Sequence, residues 1–142
     1  MNLDQSLRHT NALSTELSLQ VYWRDMDAYG HVNNGVYLRW FEEVRVQMFA
    51  EVLPSDILHM LVKAEINYRA ATEYPGEAQI ACSVISSGNT SLTLGFEITQ
   101  QTVDGKKTVC DGSGIVVLWD NNQQTKRSVS DFLITLPTSR ES

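Results

Sequence analysis

Two carboxylates, a histidine and two amides crowd into the stretch YWRDMDAYGHVNN at residues 22–34, as Asp25, Asp27, His31, Asn33 and Asn34. The stretch lies just before the one long apolar periodicity of helical type. At a helix start the first backbone N–H groups lack intrahelical acceptors, and the macrodipole presents its positive end. A carboxylate facing such a terminus can activate water or attack a carbonyl carbon, while the terminus stabilises the resulting oxyanion. The residue types therefore outline an acyl-transfer site. Spacing alone does not require it, since Asp and Asn are also ordinary residues of turns and helix caps.

The flanking elements decide whether these groups are held together. Residues 16–24 alternate, with Leu17, Leu19, Val21 and Trp23 on one side and Ser18, Gln20, Tyr22 and Arg24 on the other, which predicts a half-buried strand. Over residues 34–52, Tyr37, Trp40, Phe41, Val44, Met48 and Val52 recur at three- and four-residue steps, with Arg39, Glu42, Glu43 and Arg45 opposite. This predicts an amphipathic helix, with Asn33 as its N-cap and Pro54 enforcing its end. Residues 59–120 then read as four strands. Met60, Val62, Ala64, Ile66 and Tyr68 form the first inward row, and turns fall at Tyr74-Pro75-Gly76, Gly88-Asn89 and Asp104-Gly105. Gly112 and Gly114 inside the last long strand predict a bend, or a place where other atoms approach the backbone closely. One helix against one antiparallel sheet is an α+β architecture.

Composition narrows the function. A chain of 142 residues suits one domain; residues 1–15 read as a flexible lead-in and 16–142 as the domain. A net charge of −6 argues against a nucleic-acid surface. No apolar run reaches bilayer-spanning length and residues 1–20 hold no apolar signal core, so the expected location is cytoplasmic, without a membrane span. Cys82 and Cys110 are expected to be buried free thiols. His9, His31 and His59 lack metal-ligand spacing, so neither a metal nor any other cofactor is expected.

Asp25-Met26-Asp27, then Gly30-His31-Val32-Asn33-Asn34, then Tyr37-Leu38-Arg39-Trp40-Phe41-Glu42 resemble the signature of the 4-hydroxybenzoyl-CoA thioesterase-like branch of the hotdog superfamily. Ser91-Leu92-Thr93-Leu94 and the Gly112/Gly114 strand extend the resemblance to roughly residues 17–136. It implies a hotdog fold, one long helix wrapped by a curved antiparallel sheet, and an acyl-CoA thioesterase releasing a carboxylic acid and CoA. The family's catalytic aspartate, a nucleophile or general base, falls on Asp27, and the backbone N–H that polarises the thioester carbonyl falls near Asn34. His31 either orients Asp27 or binds water, or simply pins the loop, and Asn33 belongs to the same motif. For Asp25 a turn or ion-pair role is expected.

A second group of hotdog thioesterases carries its carboxylate on the helix, where this chain has Glu42 and Glu43. Ion pairs Arg39–Glu43 and Glu42–Arg45 explain those residues adequately. Arg69, Lys106, Lys107, Lys126 and Arg127 are the candidates to meet CoA phosphates, with Lys126 and Arg127 preferred, and Tyr29 is the expected aromatic substrate contact. The resemblance also implies a homodimer or homotetramer built by joining sheets edge to edge, with acyl-CoA or an acyl carrier protein thioester as substrate. A non-catalytic acyl-CoA-binding hotdog module is the alternative. It leaves the carboxylate loop unexplained.

Overall fold

The structure, a computed structural model, describes residues 12–137. The proposed flexibility of residues 1–15 therefore falls largely outside the described residues. Strand β1 (Ser14–Val21) leads through a 3-10 turn (Trp23–Asp25) to helix α1 (Asn34–Phe49). Strands β2 (Ile57–Tyr68), β3 (Gly76–Ser87), β4 (Ser91–Thr102) and β5 (Gly105–Asp120) follow, then a short β6 (Thr125–Lys126) and a second 3-10 turn (Val129–Asp131). All pairings are antiparallel, in the order β1-β3-β4-β5-β2, with β6 hydrogen-bonded to β5. The α+β hotdog architecture is as expected. No helix among the described residues is long and apolar enough to cross a membrane.

The helix forms where the apolar spacing places it. Tyr37, Trp40, Phe41, Val44 and Met48 are buried against Ile80, Cys82 and Val84 of β3, Leu94 and Phe96 of β4 and Val116 of β5 in one continuous core. The two expected special positions in β5 are crowded. A side chain at Gly114 would strike the Phe41 ring and Leu61, and one at Gly112 would collide with the Glu65 carbonyl of β2. Only glycine lets the helix and the neighbouring strand come so close.

Four expectations need correction. Trp23 is not on an inward face: β1 stops at Val21, because the Asp25 carboxylate accepts the Tyr22 N–H at 2.8 Å and rolls the chain into the turn, leaving Trp23 exposed. The helix ends at Phe49 rather than Val52, since the N–H groups of Val52 and Leu53 both turn back onto the Phe49 carbonyl. Met60 and Val62 face outward, because a bulge between Leu61 and Lys63 changes the parity of β2, so Ile57 and Leu61 meet the core before it and Ile66 after it. Arg45 is buried rather than solvent-facing, at 5% exposure, and the Glu42–Arg45 ion pair is not made. Arg39–Glu43 does form, at 3.6 Å.

Both cysteines are buried free thiols, and burial pushes each up to about 12. They are inert as nucleophiles at neutral pH.

Candidate active site

The loop between β1 and α1 is built around its two aspartates. Asp25 is buried. Its carboxylate accepts the Tyr22 N–H and, at 3.0 Å, a guanidinium N–H of Arg39 from the first turns of α1, while its carbonyl accepts the Asn33 N–H at 2.8 Å. One side chain thus ties the end of β1, the loop and the helix together, the ion-pair role expected of it.

Asp27 sits at the mouth of a tighter turn. Its N–H donates to the His31 carbonyl at 2.7 Å, and its own carbonyl accepts the Gly30 N–H at 3.2 Å. Met26 and Val32 bridge across the neck, and Gly30 takes the left-handed φ of 78° that closes it. The Asp27 Oδ1 accepts the N–H groups of Tyr29 at 2.8 Å and His31 at 3.1 Å. These two donors hold its carboxyl below the usual aspartate range, and the neighbouring His31 adds a smaller pull in the same direction. The result is a half-buried carboxylate, ionised at neutral pH, with Oδ2 free of any hydrogen bond among the described residues. Such an oxygen can take a proton from water or attack a carbonyl carbon.

The helix start completes the geometry. Asn33 caps it by accepting the Gly35 N–H at 2.8 Å on its side-chain oxygen, and its carbonyl accepts the Val36 N–H at 2.9 Å. The Asn34 N–H finds no acceptor among the described residues. Asp27, His31 and Asn34 line one hollow of about 250 Å³ with Tyr37, Tyr68 and Arg69. Tyr37 is fixed by a 2.7 Å hydrogen bond to Thr72 and an edge contact with Tyr68, whose hydroxyl donates to the Asn34 carbonyl at 3.4 Å. A free carboxylate oxygen and an unused helix-terminal N–H on one cleft are the parts acyl transfer needs.

The other sequence candidates separate from this group. Asn33 spends its side-chain oxygen on the cap. His31 contributes backbone N–H and C=O to the loop, while its ring makes no hydrogen bond among the described residues. Tyr29 is 86% exposed at the loop tip and does not line the hollow. Lys126 and Arg127 lie at the far side of the chain: β6 pairs with Trp119 and Asp120, which face the Ile57 end of the twelve-residue β2, whereas the hollow adjoins its Tyr68 end. Arg127 is further committed to Asp120 and Asp131, both at 3.0 Å. Of the basic candidates only Arg69 reaches the hollow, braced by two 3.1 Å bonds to Asp111. Tyr68, read as an ordinary strand residue, is the site residue the sequence reading missed; nothing short of the strand pairing places it beside the helix start.

Comparison with known proteins identifies the family and the fold. The sequence model of the thioesterase-like superfamily matches residues 21–135. No curated protein matches the chain. Among solved structures, the PA2801 protein of Pseudomonas aeruginosa superposes with a TM-score of 0.73 at 24% identity, covering 84% of this chain and 94% of that one. A thioesterase superfamily protein from Jannaschia sp. CCS1 gives 0.73 at 25% identity, covering 80% and 74%. A mutant 4-hydroxybenzoyl CoA thioesterase complexed with 4-hydroxybenzoyl CoA gives 0.74 at 18% identity, covering 83% and 92%. The structural likenesses establish the hotdog fold, and the match over most of the sequence establishes that this chain belongs to the thioesterase-like superfamily and is a thioester hydrolase.

Proposed function

We propose that the thioester hydrolysed is an acyl-CoA, with Asp27 as nucleophile or general base and the Asn34 N–H polarising the carbonyl. The observation that carries this reading is the shared hollow: Asp27, which keeps one carboxylate oxygen free, and Asn34, whose N–H is unpaired, both line it. As the tetrahedral oxyanion develops, the helix terminus offers a preorganised donor and a favourable dipole. Arg69 supplies a cation beside the hollow for the phosphates of CoA.

The working unit in this proposal is a pair of chains. Strand β2 is an unpaired sheet edge that carries exposed Met60, Val62 and Tyr68, and joining it to its symmetry mate satisfies the backbone and covers those side chains. An antiparallel two-fold pairing sets the Ile57 end of one β2 beside the Tyr68 end of the other. By that route Lys126 of the second chain comes toward the first chain's hollow.

The test is thiol release from a panel of acyl-CoAs by the wild type, Asp27→Asn and Glu42→Gln. Asp27→Asn is expected to lose about 10²-fold or more in turnover; an active Asp27→Asn beside an inactive Glu42→Gln would move the chemistry onto the helix. Light scattering over a dilution series, read beside activity, tests the pairing. A fully active monomer would refute the two-chain site.

A further inference from the structure

Arg45 is the one buried charge among the described residues that the fold leaves without a partner. It is 5% exposed, and neither Nε nor Nη1 meets an acceptor. Its guanidinium carbon lies 4.6 Å from the centre of the Phe41 ring, a contact that offsets some lost hydration but supplies no oxygen. The buried Nδ1 of His59 is also unbonded, and that ring tilts against Phe49 at 4.8 Å. The nearby charge of Arg45 adds to burial in keeping His59 neutral.

His59 opens onto a trough of about 570 Å³ with Val46, Phe49, Leu53, Ile57 and Met60 among its walls. Glu42 lines it as well, without pairing to Arg45, which lies behind the wall between Glu42 and Phe49 on the helix rather than in the lining. Withdrawing the Nε and Nη1 of a guanidinium from water with nothing to accept their hydrogen bonds is unfavourable. An arriving anion would relieve it, and the apolar walls select for one carried on a hydrocarbon chain.

We propose that Arg45 and His59 form a carboxylate-binding site beside this trough, which takes the distal carboxylate of a dicarboxylic acyl group. The inference deepens the acyl-CoA reading and rests on it for the carrier. In the two-chain unit, antiparallel pairing of β2 places one chain's trough beside the other chain's Asp27 hollow, so the reacting carbonyl and the distal carboxylate are held by different chains.

The experiment has a catalytic and a binding arm. In the first, kcat/KM is measured for suberyl-CoA and octanoyl-CoA, which differ only at the far end of the acyl group. The ratio favouring suberyl-CoA is expected to fall about tenfold or more in Arg45→Met and to recover in part in Arg45→Lys. In the second, calorimetry follows free suberate and free octanoate, with suberate weakened in Arg45→Met by a similar factor. Octanoate weakened equally would identify free monocarboxylic acid as the source of the carboxylate and overturn the dicarboxylic assignment. Suberate binding that needs Arg45, without turnover of any acyl-CoA, would preserve the site and sink the acyl-CoA reading. An unchanged ratio, with a lower melting temperature in Arg45→Met, would show Arg45 to be a structural residue and overturn the proposal.

Discussion

At the N-terminal end of α1 the loop carboxylates find partners close by in the chain: Asp25 holds Tyr22 and Arg39, and Asp27 holds Tyr29 and His31. Toward the other end, Nε and Nη1 of the buried Arg45 and Nδ1 of the half-buried His59 have nothing to bond. A group satisfied locally is positioned before any ligand arrives, which suits a catalytic carboxylate that must not reorganise during the reaction. A buried group left unsatisfied is positioned for something that comes from outside. The same helix thus presents a finished site at one end and an incomplete one toward the other.

The sharpest way to probe that contrast is to change the two loop aspartates separately. Asp27→Asn keeps the size and the acceptor oxygen, so its melting temperature should stay close to wild type while turnover falls about 10²-fold or more. Asp25→Asn should act in the opposite sense, lowering the melting temperature by several degrees, because a buried carboxylate that anchors Arg39 is exchanged for a neutral amide. Its activity loss, about tenfold, would come through a displaced loop. If Asp27→Asn unfolds while Asp25→Asn does not, the roles are reversed. If Asp27 does the chemistry as proposed, the acid limb of activity is its own. Because its carboxyl is held below the usual range, the active ionised form should persist below the ordinary aspartate value as pH falls, until the fold itself fails.

The unfinished end has a different pH signature. Burial, helped by Arg45, lowers His59 to about 4, against 6.5 for a free histidine. Between those values the unfolded chain binds a proton that the folded chain refuses, so stability is complete above about pH 6.5 and declines as pH falls toward 4. Allowing for the ring's partial exposure, the loss is of the order of 1–2 kcal/mol. Melting temperatures across this window should fall less steeply in His59→Phe than in wild type. The carboxylates of Asp27, Asp111 and Asp120, all held low, contribute stability that is lost only at lower pH, so their effect is separable. Parallel curves for wild type and His59→Phe would show that His59 protonates freely in the fold.

The contrast also explains what the sequence disclosed. The helix start, its Asn33 cap, the turns at Gly76, Gly88 and Gly105, and the crowding at Gly112 and Gly114 all follow from local rules, and each is where those rules place it. Asp25 and Asp27 were legible for the same reason: their partners lie within fifteen residues along the chain. The failures are non-local. A single bulge after Leu61 turned Met60 and Val62 outward, and alternation alone carries no trace of a parity change. Arg45 fits the polar stripe by type, and only packing against Phe41 reveals its burial. Tyr68 and Arg69 reach the hollow through strand pairing, which one sequence does not display.

The smallest expected effect separates Lys126 from Arg127, which the sequence presents as a pair. Arg127 is held by Asp120 and Asp131 and lies 5.1 Å over the Phe132 ring, so its charge is already matched within its own chain. Lys126 is exposed and enters no ion pair among the described residues. If the second chain brings Lys126 toward the phosphates of CoA, Lys126→Gln should raise KM for an acyl-CoA about two- to fivefold, the scale of one solvent-exposed charge contact. It should also weaken the salt dependence of KM and leave an acyl thioester without the nucleotide unaffected. Arg127→Gln should instead lower the melting temperature by leaving the buried Asp120 carboxylate without its cation, while the KM ratio between the two substrates stays at the wild-type value. The reverse pattern, with Arg127→Gln selective for the nucleotide-bearing substrate and Lys126→Gln silent, would mean that the Asp120 and Asp131 ion pairs open when CoA binds.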